Sequence, residues 1–297
     1  MKRSRRKKSG FDIAFVIVNT IVLTIFCIVT LYPILNTLAV SFNEAVDTLT
    51  GGIHLVPRKF TLENYRTVFR TRTLMHSAYI SVLRTLLGTL LHMVLTSLLA
   101  YVLSRKEFLF NRQVSLFYVL TMYVSGGMIP GLLLFKSIGL TNTFWVYIIP
   151  GAISAFNMIV IRTYMNGLPD SLVESAQVDG AGHFRIFLKI ILPLCKPVLA
   201  TVALFIAVGQ WNAWFDVMIY NASRPDLSTL QYELMKLLSS VSQQSGDPNM
   251  AKHAANMVTP ESIRAAATIV TALPIVCLYP FLQRYFVTGL TIGGVKE

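Results

Sequence analysis

Residues 168–197 read LPDSLVESAQVDGAGHFRIFLKIILPLCKP, a polar stretch between two strongly apolar runs. The spacing predicts folded structure rather than a plain connector. Ser171 and Glu174 stand as in a capping box, where the hydroxyl takes a free amide of the first turn and the carboxylate reaches back. The helix so opened is short, because Asp179-Gly180 supplies a left-handed stop that glycine enters without a Cβ clash. A second helix, about 183–192, carries Phe184, Phe187, Leu188 and Ile191 on one stripe. Pro193 ends that helix or begins the next element. A helix-turn-helix placed between two apolar runs is built to be held by something.

The runs themselves belong in a bilayer. Of 297 residues, 54% are hydrophobic and 13% charged, with a mean hydropathy of +0.59. A soluble domain carries about 25% charged residues. The length suits about six spans of roughly 20 residues plus loops. The expected fold is an all-α polytopic membrane protein with six transmembrane helices, at about 11–40, 77–103, 114–135, 143–161, 198–220 and 263–286. The helix-turn-helix, within a loop at 164–197, then lies in the cytoplasm between spans four and five. Residues 1–10 read as a cytoplasmic basic tail and 11–297 as a single transmembrane domain with no internal repeat.

Charge sets the orientation. The formal net charge is +12, but six of the 26 basic residues fall in the first eight positions, which points to membrane topology rather than nucleic acid. The segments assigned inside hold 14 Lys and Arg, and those assigned outside hold nine in a greater length. Both termini are therefore expected in the cytoplasm, although Arg58, Lys59, Arg66, Arg70 and Arg72 run against the trend in the first outer loop. A signal peptide would have an apolar core of about 7 to 15 residues, shorter than this first run.

Local signals refine the layout. Thr61 can cap a short outer helix with Leu62, Tyr65, Val68 and Phe69 on one side, and Leu230, Leu234, Leu237, Leu238 and Val241 form a second outer stripe. Arg84, near the outer end of span two, can snorkel to the interface. Gly126, Gly127, Pro130 and Gly131 interrupt span three, which reads as a break facing the bundle or equally as a plain helix end. Asn142 is placed to cap span four, and Thr259 with Pro260 to open span six, where Pro274 and Pro280 are kink points.

Chemistry-bearing patterns are mostly missing. There is no G-x-x-x-x-G-K-[ST], so the chain cannot cradle nucleotide phosphates in the P-loop manner, and no H-E-x-x-H or G-x-S-x-G. Cys27, Cys195 and Cys277 lack metal or disulfide spacing. No catalytic residue, metal or cofactor is expected. Span five holds the most polar intramembrane cluster: Gln210, Trp211, Asn212, Trp214 and Asp216. Polar groups in a span face a water path or bond neighbouring helices. Aromatics with amides suit sugar rings, which offer an apolar C–H face beside hydroxyls. Gln210 and Trp214, four apart, share one helical face, while Asn212 points about 200° away and should pack on a neighbouring span. Asn157 of span four is a further path candidate. Asp216 reads as solvated near the outer edge, and His92 as a hydrogen-bonded structural histidine.

Glu174-Ser175-Ala176, then Gly180, then Ile190-x-Leu192-Pro193 match E-A-A-x3-G-x9-I-x-L-P, with Ser175 in place of the middle alanine. That loop resembles the one of ABC importer permeases, and the resemblance runs over nearly the whole chain. Phe60-Thr-Leu-Glu-Asn-Tyr65, Trp211-Asn-Ala-Trp214 and Gln283-Arg-Tyr-Phe-Val-Thr-Gly289 are similar to the shorter, maltose-type permease of carbohydrate importers. The stretch from Gly126 to Asn157 resembles permeases for complex glycan fragments, including uronic-acid-containing ones. The resemblance implies carbohydrate import across the bacterial plasma membrane, with Glu174, Ser175, Ala176, Asp179, Gly180, Ile190, Leu192 and Pro193 forming the coupling loop. It implies as partners a second, longer permease, two separate ATPase subunits that hydrolyse ATP with Mg, and an extracytoplasmic sugar-binding protein. The competing class is a proton-coupled secondary carrier or channel. That class calls for buried acid–base partners and repeated halves, and the deep parts of these spans hold no Asp or Glu apart from Asp216 near an edge.

Overall fold

The computed structural model describes residues 10–244 and 259–289. The basic tail up to residue 9, the part 245–258 of the second outer segment and the inner tail 290–297 lie outside the described residues. Two compact units form, one within Met1–Arg70 and Leu237–Val270, the other within Thr71–Lys236 and Thr271–Glu297.

In the first unit, α1 (Gly10–Ser41) is a 32-residue helix whose most apolar stretch buries nothing within the chain. It leads into a small knot made with α2 (Ala45–Leu49) and α3 (Glu63–Arg70). Thr61 Oγ1 accepts the Glu63 amide at 3.2 Å, but Thr61 lies one residue ahead of the cap position, which Leu62 takes by accepting the Arg66 amide on its carbonyl at 2.9 Å. Buried Asn64 donates to the carbonyls of Ser41 and Asn43 at 2.9 and 2.8 Å, which ties α3 to the end of α1. Asn43 in turn accepts from the Lys59 amide and donates to Asp47, which also pairs with Arg58.

The second unit is built on α4 (Arg72–Ser104). Ser77, Ser81, Arg84, Gly88, His92, Thr96, Ala100 and Leu103 recur every three or four positions and are buried on one face. This stripe of mainly small and polar groups lets neighbouring helices approach closely. Against α4 pack α7 (Ala155–Asn166) and α11 (Lys196–Asn212). Between them in sequence come α5 (Asn111–Leu120), α6 (Met128–Ser137) and a 3₁₀ turn, Phe144–Tyr147. Also between them are α8 (Ser171–Val178), α9 (His183–Ile186) and α10 (Leu192–Leu194). Then follow α12 (Phe215–Tyr220), α13 (Leu230–Gln244) and α14 (Pro260–Gly289), of which Leu237–Gln244 and Pro260–Val270 belong to the first unit. Thr259 Oγ1 accepts the Ser262 amide at 3.3 Å, so α14 opens as its sequence predicts.

Among the described residues the regular secondary structure is helical, apart from one isolated β-bridge, Asn43 with Phe60. Among the described residues, three helices are long and apolar enough to cross a membrane: the Ile13–Ser41 part of α1, α4, and the Pro260–Leu278 part of α14. The other expected spans are interrupted. Span three breaks at 121–127, where Gly127 takes φ 87°. Span four begins as the 3₁₀ turn, loses regular structure, and becomes helical again only at Ala155, with Ser154 as its cap. Asn142 caps nothing: it takes φ 57° and gives its amide to the Tyr220 carbonyl at 3.0 Å. Span five breaks at 213–214.

Candidate functional site

The loop at 168–194 folds as two helical pieces joined by a turn. Gly180 takes φ 78°, the left-handed stop its position demands, and nothing crowds the space a Cβ would take. The capping box does not form. Asp170 precedes the helix without a side-chain cap bond, and Ser171 already lies in the first turn. The turn starts one step early because the Pro169 and Asp170 carbonyls accept the amides of Leu172 and Val173. The Asp170 carboxylate instead pairs with Lys106 at 2.8 Å. That hydrogen bond is the main reason the Asp170 carboxyl sits below the ordinary carboxylate range and the Lys106 ammonium above its own.

Past the turn, α9 runs into a π-helical stretch, Phe187–Ile191, before α10. Pro193 has no N–H for an i→i−4 bond, and the chain widens just ahead of it. The run His183–Leu194 then meets α11 at 85°. Val173, Ala176, Ile186, Phe187 and Ile191 enter one core with Ala100, Tyr101 and Leu103 of α4, Met158, Ile161 and Met165 of α7, and Val198 and Val202 of α11. Burying each large apolar side chain from water is worth about 1.5–3 kcal/mol, so the loop is bolted to the ends of three helices. Its other side is open. Glu174, Ser175, Asp179 and Pro193 are exposed, Ile190 and Leu192 half-buried, and Val178 and Phe184 stand out at 88% and 66% exposure.

The polar cluster of span five lies elsewhere in the same unit, and it is not the one the helical wheel draws. α11 ends at Asn212, Ala213 is extended, and α12 starts at Phe215. Gln210 and Trp214 therefore do not share a helical face. Arg84 does not snorkel. It is 3% exposed, with its guanidinium 4.7 Å from the centre of the Tyr147 ring. Its Nε donates to Gln210 Oε1 at 2.7 Å, its Nη1 to the Ala213 carbonyl and to Asp216 Oδ1 at 3.2 Å each, and its Nη2 to Asp216 Oδ2. Asp216 is thus an ion-pair partner rather than a solvated edge group. The Gln210 amide also donates to the Tyr147 carbonyl at 3.4 Å. Asn212 does not pack on a neighbouring span of this chain; it is exposed, and Trp214 is half-exposed. Asn157 is buried in the first turn of α7.

These polar side chains also repair broken backbone. His92 donates through Nε2 to the Ile148 carbonyl at 2.8 Å, the structural role expected of it. Asn221 donates to the Thr143 carbonyl and Tyr147 to the Leu227 carbonyl. Irregular backbone at membrane depth survives where protein groups satisfy it. Trp211 is buried and donates to the Thr271 carbonyl at 2.9 Å, joining α11 to α14. Arg84 is the residue that sequence reasoning missed. Its one available signal was a cation in an apolar span with Asp216 as the sole acid at comparable depth.

Residues 5–292 match the family described as "Binding-protein-dependent transport system inner membrane component". The chain is 36% identical over 278 residues to the polygalacturonan/rhamnogalacturonan transport system permease protein YtcP of Bacillus subtilis, covering 92% of this chain and 95% of that one. It is 30% identical over 284 residues to the maltodextrin transport system permease protein MdxG of the same organism, covering 92% and 94%. A crystal structure of a bacterial ABC transporter involved in the import of the acidic polysaccharide alginate contains a chain that superposes with a TM-score of 0.86 at 27% identity, covering 95% of this chain and 99% of that one. With its apolar helices and its folded loop after α7, the chain belongs to the inner-membrane permease family of binding-protein-dependent transport systems.

Proposed function

We propose that this chain is the permease subunit of an ATP-binding-cassette importer that moves an oligosaccharide into a bacterial cell. It crosses the plasma membrane six times with both termini inside. α1, α4 and α14 cross whole; α5 with α6, the 3₁₀ turn with α7, and α11 with α12 cross as broken spans. Two separate ATPase subunits bind ATP and Mg, a longer permease completes the membrane pair, and an extracytoplasmic binding protein delivers the sugar. The relatives named for polygalacturonan and alginate support an acidic oligosaccharide as cargo.

The observation that carries this reading is the two-sided loop. Its inner side is locked into the core at the ends of α4, α7 and α11, while Glu174, Val178 and Phe184 face outward. A motion of an ATPase gripping that face passes directly into three helices. Glu174 offers a carboxylate to a basic group there, and Ser175, Ala176, Asp179, Gly180, Ile190, Leu192 and Pro193 hold its shape. In the path, Trp214 and Asn212 meet the sugar with Gln210 behind them, and Asn157 is a further contact.

The test is the ATPase activity of the assembled complex with binding protein and oligosaccharide. Glu174→Ala should lower stimulated activity at least tenfold without loss of assembly. Gly180→Ala forces an L residue to φ 78°, costs about 1–2 kcal/mol, and should uncouple by misplacing α9. Wild-type stimulation in both variants would discard the coupling role.

A further inference from the structure

The guanidinium of Arg84 reaches three consecutive pieces of the broken fifth span. It bonds Gln210 in the last turn of α11, the Ala213 carbonyl in the break, and Asp216 in the first turn of α12. An ion pair alone would need only Asp216. Here three of its donor nitrogens are spent across seven residues of chain, and the planar, rigid geometry of arginine makes a simultaneous grip possible where a lysine ammonium on a flexible stem makes a point contact. Tyr147 backs the group from the side, with its ring 4.7 Å from the guanidinium carbon. Gly88, one turn along α4, leaves the room for Gln210: a Cβ there would come within 2.9 Å of the Gln210 side chain. Two positions of α4 are thus shaped around the same break.

Asn212, the last residue of α11, is exposed, and Trp214, within the break, is half-exposed. The Ala213 peptide between them is the one Arg84 holds. We propose that Arg84 is a positioning residue for transport: it fixes the angle between α11 and α12 and so presents Asn212 and Trp214 to the passing sugar. This rests on the pathway role proposed above for those two residues, but the clamp can be tested separately from it.

Arg84→Lys keeps the charge, so Asp216 remains paired, but it cannot span Gln210, Ala213 and Asp216 together. Arg84→Met with Asp216→Asn removes both charges and leaves neither buried alone. Each is combined with Asn212→Cys or Trp214→Cys in a complex lacking Cys27, Cys195 and Cys277, reconstituted with its partners and probed with a water-soluble thiol reagent. The clamp predicts that Arg84→Lys still assembles and keeps basal ATPase activity, at a lower thermal stability because the Ala213 carbonyl and the Gln210 side chain lose donors. It also predicts that labelling rates at 212 and 214 change at least threefold and that the maximal transport rate falls at least tenfold. The double variant should show the same labelling change wherever it assembles. Unchanged labelling and transport in Arg84→Lys would overturn the proposal, and so would full transport by the double variant. The pathway role has its own readout: oligosaccharide should slow labelling at 212 and 214 with Arg84 intact. Absence of that protection removes the path reading, while the labelling shift in Arg84→Lys still decides the clamp.

Discussion

At the scale of single residues, the tightest constraint is Gly88. It faces Gln210 so closely that a Cβ would meet Cδ at 2.9 Å and Nε2 at 3.0 Å. Gly88→Ala must push the Gln210 amide off Arg84, which costs about 1–3 kcal/mol as overpacking in a filled site. In a Gln210→Ala background the same alanine has room. A double-mutant cycle on the thermal stability of the purified complex should therefore show Gly88→Ala far less damaging once Gln210 is gone, with a coupling of about 0.5–3 kcal/mol. Equal cost in both backgrounds would mean that α4 and α11 do not meet there. Gly180 makes the opposite case. The space around it is empty, so its constraint is the φ of 78° alone.

At the scale of elements, the small knot of the first unit turns on Asp47. Its carboxyl is held below the usual 3.8, first by the Asn43 amide and then, against the opposing effect of desolvation, by Arg58. A depressed folded pKa means that the stabilisation is complete above the unfolded value and is lost as pH falls through the folded one. Protease resistance of segment 42–60 should therefore be flat from neutral pH down to about pH 4 and collapse below it. In Asp47→Asn the collapse should be absent and the resistance lower throughout. A wild-type profile that already declines near pH 6 would rule out Asp47 as the cause. The broken spans follow a related rule in a dry setting. The carbonyls of Thr143, Tyr147 and Ile148 lie in irregular stretches and are served by Asn221, Gln210 and His92.

At the scale of the whole molecule, the exposed apolar surface says what is missing around the chain. Side chains along the most apolar stretch of α1 face outward on every side, among them Phe15, Ile17, Phe26 and Val29. Lipid covers part of such a surface, and the proposed second permease covers another part. On the proposed reading one coupling loop serves one ATPase, so a pair of ATPases needs two loops. Two differently tagged copies of this chain, co-expressed with the longer permease, should not co-purify with each other, while each should bring down the longer permease in a 1:1 ratio. Sugar transport by a complex holding this chain as its only permease would make it a homodimer instead.

The residue pattern by itself carried the membrane class, the long apolar helices and the loop helix-turn-helix with its glycine stop, because these rest on local spacing and on composition. Thr259 was equally legible as a cap, since a cap bond closes within three residues. The capping box at Ser171 was misread because the helix begins one residue earlier than the pattern assumes, with the Pro169 and Asp170 carbonyls taking the amides of Leu172 and Val173. The path cluster was misread for the same kind of reason. A helical wheel assumes that the helix continues, and here it stops at Asn212, with the break held by Arg84 from more than 120 residues away. Pairings at that distance leave no periodic trace in the chain. Only the packing of α4 on α11 brings a buried cation, its acid and a broken backbone together, and in a dry interior those groups must satisfy one another.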